Sequence, residues 1–184
     1  MSTLHLRHLG VSALFLGTLG LLAALPAQAV RFPDGRVAFD RPPDLIGAST
    51  RNLSPNTGGR YHFTISVPSD AGEPLKALVI TPRDQAEHIR FDLDESTASL
   101  GSAYARGPEL TLSSIGGSPE NPDEVTVVFD QPVQPGNTVT VVLESQRNPF
   151  RGGVYQFGVT AYPEGEESIG QFIGYGRIHF FGHN

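Results

Sequence analysis

The run Asn148-Pro149-Phe150-Arg151-Gly152-Gly153-Val154-Tyr155-Gln156-Phe157-Gly158-Val159-Thr160-Ala161-Tyr162-Pro163, followed after an acidic turn by Ile169-Gly170-Gln171-Phe172-Ile173-Gly174-Tyr175-Gly176-Arg177-Ile178-His179-Phe180-Phe181, decides how the chain is read. It is the densest aromatic and glycine segment of the sequence. Large side chains alternate with small and polar ones, the period of a half-buried strand. Two such runs on either side of Pro163–Ser168 predict a long antiparallel hairpin. With Tyr162 set opposite Ile169, counting outward places Val159 opposite Phe172, Gly158 opposite Ile173, Phe157 opposite Gly174 and Tyr155 opposite Gly176. Tyr155, Phe157, Val159, Phe172, Ile178 and Phe180 then share the core face, and Gln156, Thr160, Gln171, Tyr175, Arg177 and His179 the outer one. Each interior glycine faces a large side chain, so Gly174→Val is expected to overpack the Phe157 site. Tyr175, Arg177 and His179, two residues apart on the outer face, are the expected surface contact.

Upstream, the same pattern recurs in shorter form. Strands are expected over Arg36–Asp40, Arg60–Pro68, Leu75–Thr81 and His88–Leu93, with Pro42-Pro43 and Pro82 as stops. Arg60–Pro68 alternates cleanly, with Tyr61, Phe63, Ile65 and Val67 on one face and His62, Thr64 and Ser66 on the other. Asp70 can cap a single helical turn over Ser69–Pro74, which Gly72 and Pro74 keep short. Ser99–Tyr104 and Glu109–Ser114 read as edge strands, because small and polar residues dominate them. Glu124–Asp130 and Asn137–Gln146 are expected to pair, joined through a tight turn at Pro135-Gly136. About nine strands, no sustained helical period and no linker predict an all-β chain folded as a single antiparallel β-sandwich, immunoglobulin-like in its connections. An outer-membrane barrel needs longer strands with fewer prolines than these.

Residues 1–29 read as an export signal. Arg7 precedes an apolar run from Leu9 to Leu25, and Pro26 and Ala27-Gln28-Ala29 follow as a cleavage site. The run is short and glycine-containing for a membrane anchor, and no later segment is apolar enough to span a bilayer as a helix. Residues 30–184 are left as one domain, destined for the periplasm, the cell envelope or the exterior. Cysteine is absent, so neither disulfides nor thiolate metal sites contribute. The net charge of −6, with Lys76 as the one lysine, argues against nucleic acid as a partner.

The blocks Val67-Pro68-Ser69-Asp70-Ala71-Gly72-Glu73-Pro74-Leu75, Pro132-Val133-Gln134-Pro135-Gly136-Asn137-Thr138-Val139-Thr140-Val141, Gly153–Pro163 and Gly174–Phe180 occur in an order that resembles the exported cyanobacterial family known as domain of unknown function 2808. The resemblance covers nearly all of the chain after residue 29 and implies a cyanobacterial source and an export route. It implies no catalytic or binding residue.

Standard catalytic signatures are missing. There is no Gly-x-Ser-x-Gly elbow, no pair of histidines flanking a glutamate in zinc-protease spacing, and no phosphate loop. Gly170, Gly174 and Gly176 lack the spacing of a dinucleotide fingerprint. No catalytic residue and no cofactor are expected. His179 and His183 can reach a copper or zinc ion only if the fold brings His62 or His88 to them, because residues four apart in one strand are some 13 Å apart. Asp92, Asp94 and Glu95 have the chemistry of a calcium turn but not an EF-hand pattern, and Glu164, Glu166 and Glu167 read as a solvated hairpin tip. Tyr104, Tyr155, Tyr162 and Tyr175 are the rings available to stack on a sugar. The leading expectation is a non-enzymatic exported domain acting on an envelope protein or polysaccharide through a surface contact. A carbohydrate- or metal-binding module is the alternative.

Overall fold

The computed structural model describes residues 30–31, 35–83, 87–117 and 123–181. The expected export signal, His183 and part of the loop before Asp123 lie outside these residues. Among the described residues the elements are strands only: β1 (Val30–Arg31), β2 (Val37–Ala38), β3 (Asp44–Thr50), β4 (Gly59–Ser66), β5 (Leu75–Arg83), β6 (Phe91–Ser102), β7 (Ala105–Leu110), β8 (Leu112–Gly116), β9 (Val125–Val133), β10 (Thr138–Ser145), β11 (Gly153–Pro163) and β12 (Gln171–Phe180). β1 and β2 form a short ribbon, and the other ten build two five-stranded antiparallel sheets, β3-β4-β10-β6-β7 and β12-β11-β5-β9-β8. No helix among these residues is long and apolar enough to cross a membrane.

The order β3-β4-β10-β6 facing β12-β11-β5 is that of the seven strands of a constant-type immunoglobulin domain. β7, β8 and β9 are inserted between its fourth and fifth strands, widening both sheets. Strand alternation fills the space between them: Tyr61, Phe63 and Ile65 of β4 and Val139, Val141 and Leu143 of β10 meet Leu78 and Ile80 of β5, Val127 and Phe129 of β9, and Phe157 and Val159 of β11, all fully buried. At the entry to β11, Tyr155 donates its hydroxyl hydrogen to the Arg151 carbonyl at 3.0 Å. This is the tyrosine corner of immunoglobulin sandwiches, made here without the neighbouring cysteine.

Buried Asn148 fastens the preceding turn. Its Oδ1 accepts from the Tyr61 hydroxyl at 2.9 Å, and its Nδ2 donates to the carbonyls of Asn52 and Ser54. Its backbone exchanges bonds with Asn56 and Thr57. One side chain thus ties the 52–57 loop to the core.

The hairpin at the heart of the sequence reading forms, two residues out of the expected register. Phe157 faces Gly176, Gly158 faces Tyr175 and Val159 faces Gly174, after which Ile173 bulges and Thr160 faces Phe172. A shift of two preserves faces, so Tyr155, Phe157, Val159, Ile178 and Phe180 are buried as expected. The bulge inverts what precedes it: Phe172 stands outside, and Gln171, opposite buried Ala161, accepts a hydrogen bond from the Phe39 N–H at 2.8 Å. Gly174 has φ 133°, and a Cβ there would make only an ordinary contact, 3.9 Å from the Leu45 Cβ, so a side chain meets backbone strain and not Phe157. Gly176 is the crowded position, since a Cβ would lie 2.5 Å from the Ala48 Cβ of β3 and 3.3 Å from the Phe63 ring. The edges β3 and β12 therefore lie against one another and close that side of the sandwich.

Other expectations change as well. β9 and β10 do not pair; β9 lies between β5 and β8, β10 between β4 and β6. The Gln134–Asn137 turn, with Gly136 at φ 85°, carries the chain from one sheet to the other. His88–Leu93 and Ser99–Tyr104 contribute to one strand, β6, whose residues between Asp92 and Thr97 loop out opposite Leu143. β3 is an additional edge strand, Ser69–Pro74 is a turn without helix, and β5 continues through Pro82, which faces Phe157 after pairing with β9 has ended.

Candidate functional site

The outer face of β11 and β12 carries the residues that the alternation singled out. Tyr175, Arg177 and His179 are all exposed, opposite Gly158, Gln156 and Val154. The bulge adds Phe172, whose ring meets Tyr175 edge to face at 4.9 Å. A Cβ on Gly158 would stand 3.4 Å from the Phe172 ring and 3.6 Å from the Tyr175 ring, so the two rings lie over this glycine. They remain 55% and 43% exposed. Arg83 of β5 sits over the Tyr175 ring at 5.9 Å, and His179 lies 5.0 Å from the Phe181 ring. Together with exposed Val154 these residues make an aromatic and cationic strip along one edge of the sandwich. Alternation alone assigns Phe172 to the core face, and the structure turns it outward, because a bulge leaves no mark on a period of two.

The remaining tyrosines separate. Tyr155 is core, and Tyr162 covers Gly170, whose Cβ would lie 2.5 Å from the ring. Tyr104 projects from the β6–β7 turn, 79% exposed. The histidines do not meet: His88 pairs with Asp123 at 2.8 Å, His179 belongs to the outer strip, and His62 lies on the opposite sheet. Among the described residues no group of three or more His, Asp or Glu side chains is placed to hold a metal ion, Asp92, Asp94 and Glu95 included.

A cleft of about 520 Å³ opens on the outer face of the first sheet, between the β6–β7 turn and the 51–58 loop. Arg51, Asn52, Arg60, His62, Tyr104, Arg106 and Glu144 are among the residues that line it. His62 is only 7% exposed although it points away from the core. Burial is the main cause that lowers its pKa; Arg51 and, more weakly, Arg106 add to this by charge repulsion, against backbone hydrogen bonds at Ser49 and Arg60. Arg60 is paired with Glu144 at 2.8 Å, whereas Arg51 lies over the Tyr104 ring at 5.4 Å. The cleft went unseen in the sequence because Arg51 and Arg106 sit far apart in turns and edges that have no periodic signature.

A family model matches residues 36–180, most of the chain. The chain belongs to the family described as Protein of unknown function (DUF2808). No curated protein matches it in sequence. In fold, this family member is similar to the collagen-binding subdomain of the Enterococcus faecalis surface protein ACE, with TM-score 0.48 and 8% identity over 76% of this chain and 98% of that one. It is similar too to a C-terminal fragment of the major pilin of Streptococcus agalactiae, with TM-score 0.49 and 7% identity over 76% of this chain and 56% of that one. BcpA, the major pilin subunit of Bacillus cereus, gives TM-score 0.47 and 11% identity over 76% and 41%. The DUF2808 chain thus spans about half the length of the two pilin chains.

Proposed function

We propose that this protein is an exported, non-enzymatic β-sandwich that works at the cell envelope, in the periplasm or outside the cell, through a contact made by the outer face of β11 and β12. The observation that carries this reading is the Phe172–Tyr175 ring pair held open to solvent over Gly158, with Arg177 and His179 continuing along the strand. Aromatic and arginine side chains supply most of the binding energy where proteins meet, and rings already fixed in position lose little freedom on contact. Such rings also stack on sugar faces. The partner is therefore an envelope protein or a polysaccharide. Export is supported by the character of residues 1–29 and by the family resemblance, with residues 30–184 as the exported domain.

Cell fractionation tests the proposal. The full chain is expected to stay with the envelope fraction, while the triple variant Tyr175→Ala/Arg177→Ala/His179→Ala is released at an unchanged melting temperature. Protease or polysaccharide-lyase treatment before fractionation distinguishes the two partner classes. Equal retention of both chains would overturn the assignment.

A further inference from the structure

The cleft on the opposite sheet has features that the contact face leaves unused. Three of the thirteen basic residues of an acidic chain converge on it. Glu144 neutralises Arg60, but no described carboxylate pairs with Arg51 or Arg106. Two guanidinium groups thus remain uncompensated beside a largely buried imidazole that both of them repel in its charged form. The rim is built in advance. Asn52 Nδ2 donates to Thr57 Oγ1 at 2.9 Å and to the Gly58 carbonyl at 2.7 Å, its Oδ1 accepts from the Ser54 N–H, and Asn148 holds the same loop from beneath. On the other side, Thr140 Oγ1 donates to the Gly101 carbonyl at 2.8 Å, anchoring the β6–β7 hairpin that carries Tyr104 and Arg106. A preformed recess of this volume suits a small ligand, and two guanidinium forks lining the same recess suit a carboxylate or sulfate.

We infer that the cleft lined by Arg51, Arg106, His62 and Tyr104 binds an oxyanion of the carboxylate or sulfate class borne on a sugar-sized ligand. The two arginines hold the anion, Arg51 from its place over one face of the Tyr104 ring, and the rest of that exposed ring meets the body of the ligand. Such an anion offsets the repulsion on His62, which takes up a proton as the complex forms. The charged and titratable groups lining the cleft around His62 are Arg51 after β3, Arg60 on β4, Tyr104 and Arg106 on the β6–β7 hairpin, and Glu144 on β10. Affinity therefore rises as pH falls toward the histidine range.

Calorimetry of the purified full chain at low salt tests this with three probes: a trigalacturonate, a neutral trisaccharide and inorganic sulfate. Saturable 1:1 binding of the trigalacturonate, none of the neutral sugar, and a loss of about tenfold or more in Arg51→Ala/Arg106→Ala are expected. Sulfate is expected to compete weakly, and sulfate binding as tightly as the uronide would overturn the sugar-borne ligand. Trigalacturonate affinity should strengthen several-fold from pH 7.5 to 5.5 in the parent chain and stay flat in His62→Gln, and an equal slope in both would overturn the role given to His62. Absence of saturable uronide binding, or binding that ignores the double substitution, would overturn the site. Tyr175→Ala should leave all of these values unchanged, which separates this cleft from the contact on β12.

Discussion

Phe63 of β4 and Phe157 of β11 meet edge to face across the centre of the sandwich, with ring centroids 5.5 Å apart and planes at 77°. Phe157 lies two residues beyond the corner tyrosine, the place that a cysteine of the inter-sheet disulfide takes in antibody domains. In a chain without cysteine, an aromatic contact joins the two sheets there. Tyr61 extends it, edge to face with Phe157 at 6.0 Å. Phe157→Ala should therefore cost about 4 kcal/mol by opening a cavity at the sheet-to-sheet contact, and Phe157→Leu much less. Urea denaturation of the two variants would show it as a lower midpoint with an unchanged slope.

The corner itself makes a smaller, separable contribution. Tyr155→Phe removes the bond to the Arg151 carbonyl while keeping the buried ring, and should lower stability by about 1 kcal/mol, or roughly 3 °C in melting temperature. Asn148→Ala should cost more, about 2–3 kcal/mol. It strands the buried Tyr61 hydroxyl and releases two carbonyls of the 52–57 loop. A melt of Asn148→Ala equal to that of Tyr155→Phe would contradict the hub role.

Neighbouring glycines of β12 should respond for different reasons. Gly176→Val drives a side chain into Ala48 and should cost about 3 kcal/mol or more by prising β12 from β3. Gly174→Ala meets no neighbour within 3.4 Å, but its φ of 133° is strained for any side chain, a cost of about 1–2 kcal/mol. Thermal melts of the pair rank the two effects, and the reverse order would contradict the edge closure.

These glycines also mark how far the sequence could be read. Alternation tells which side of a strand is buried, which is why the core residues of β4 and β11 were legible. It does not tell which sheet a strand joins: β9 and β10 carry the same inward pattern and adjoin in sequence, yet the Pro135-Gly136 turn sends them to opposite sheets. Nor does a period of two register the extra residue at Ile173, whose bulge exposes Phe172. β3 was silent because Asp44–Thr50 is mostly small and polar, as an edge strand can be. Of the surface features, the row Tyr175, Arg177, His179 follows from alternation, whereas the cleft needs Arg51 and Arg106 to be brought together by the fold.

His62 makes stability depend on pH in a definite direction. Its pKa in the folded chain is below the ordinary 6.5, chiefly through burial and then through Arg51. Between the two values the unfolded chain holds the extra proton, so stability rises with pH there. This contribution is intact above about pH 6.5 and is lost as pH falls below it. The urea midpoint should drop more from pH 7.5 to 5.5 in the parent chain than in His62→Gln, and equal drops would contradict a neutral buried imidazole.

Photo-crosslinking in living cells tests the contact face most directly. A photoreactive phenylalanine analogue in place of Tyr175 should give a covalent adduct with an envelope component, while the same group in place of exposed Glu109 on the opposite sheet should give none. No adduct from position 175, or equal adducts from both positions, would contradict the account.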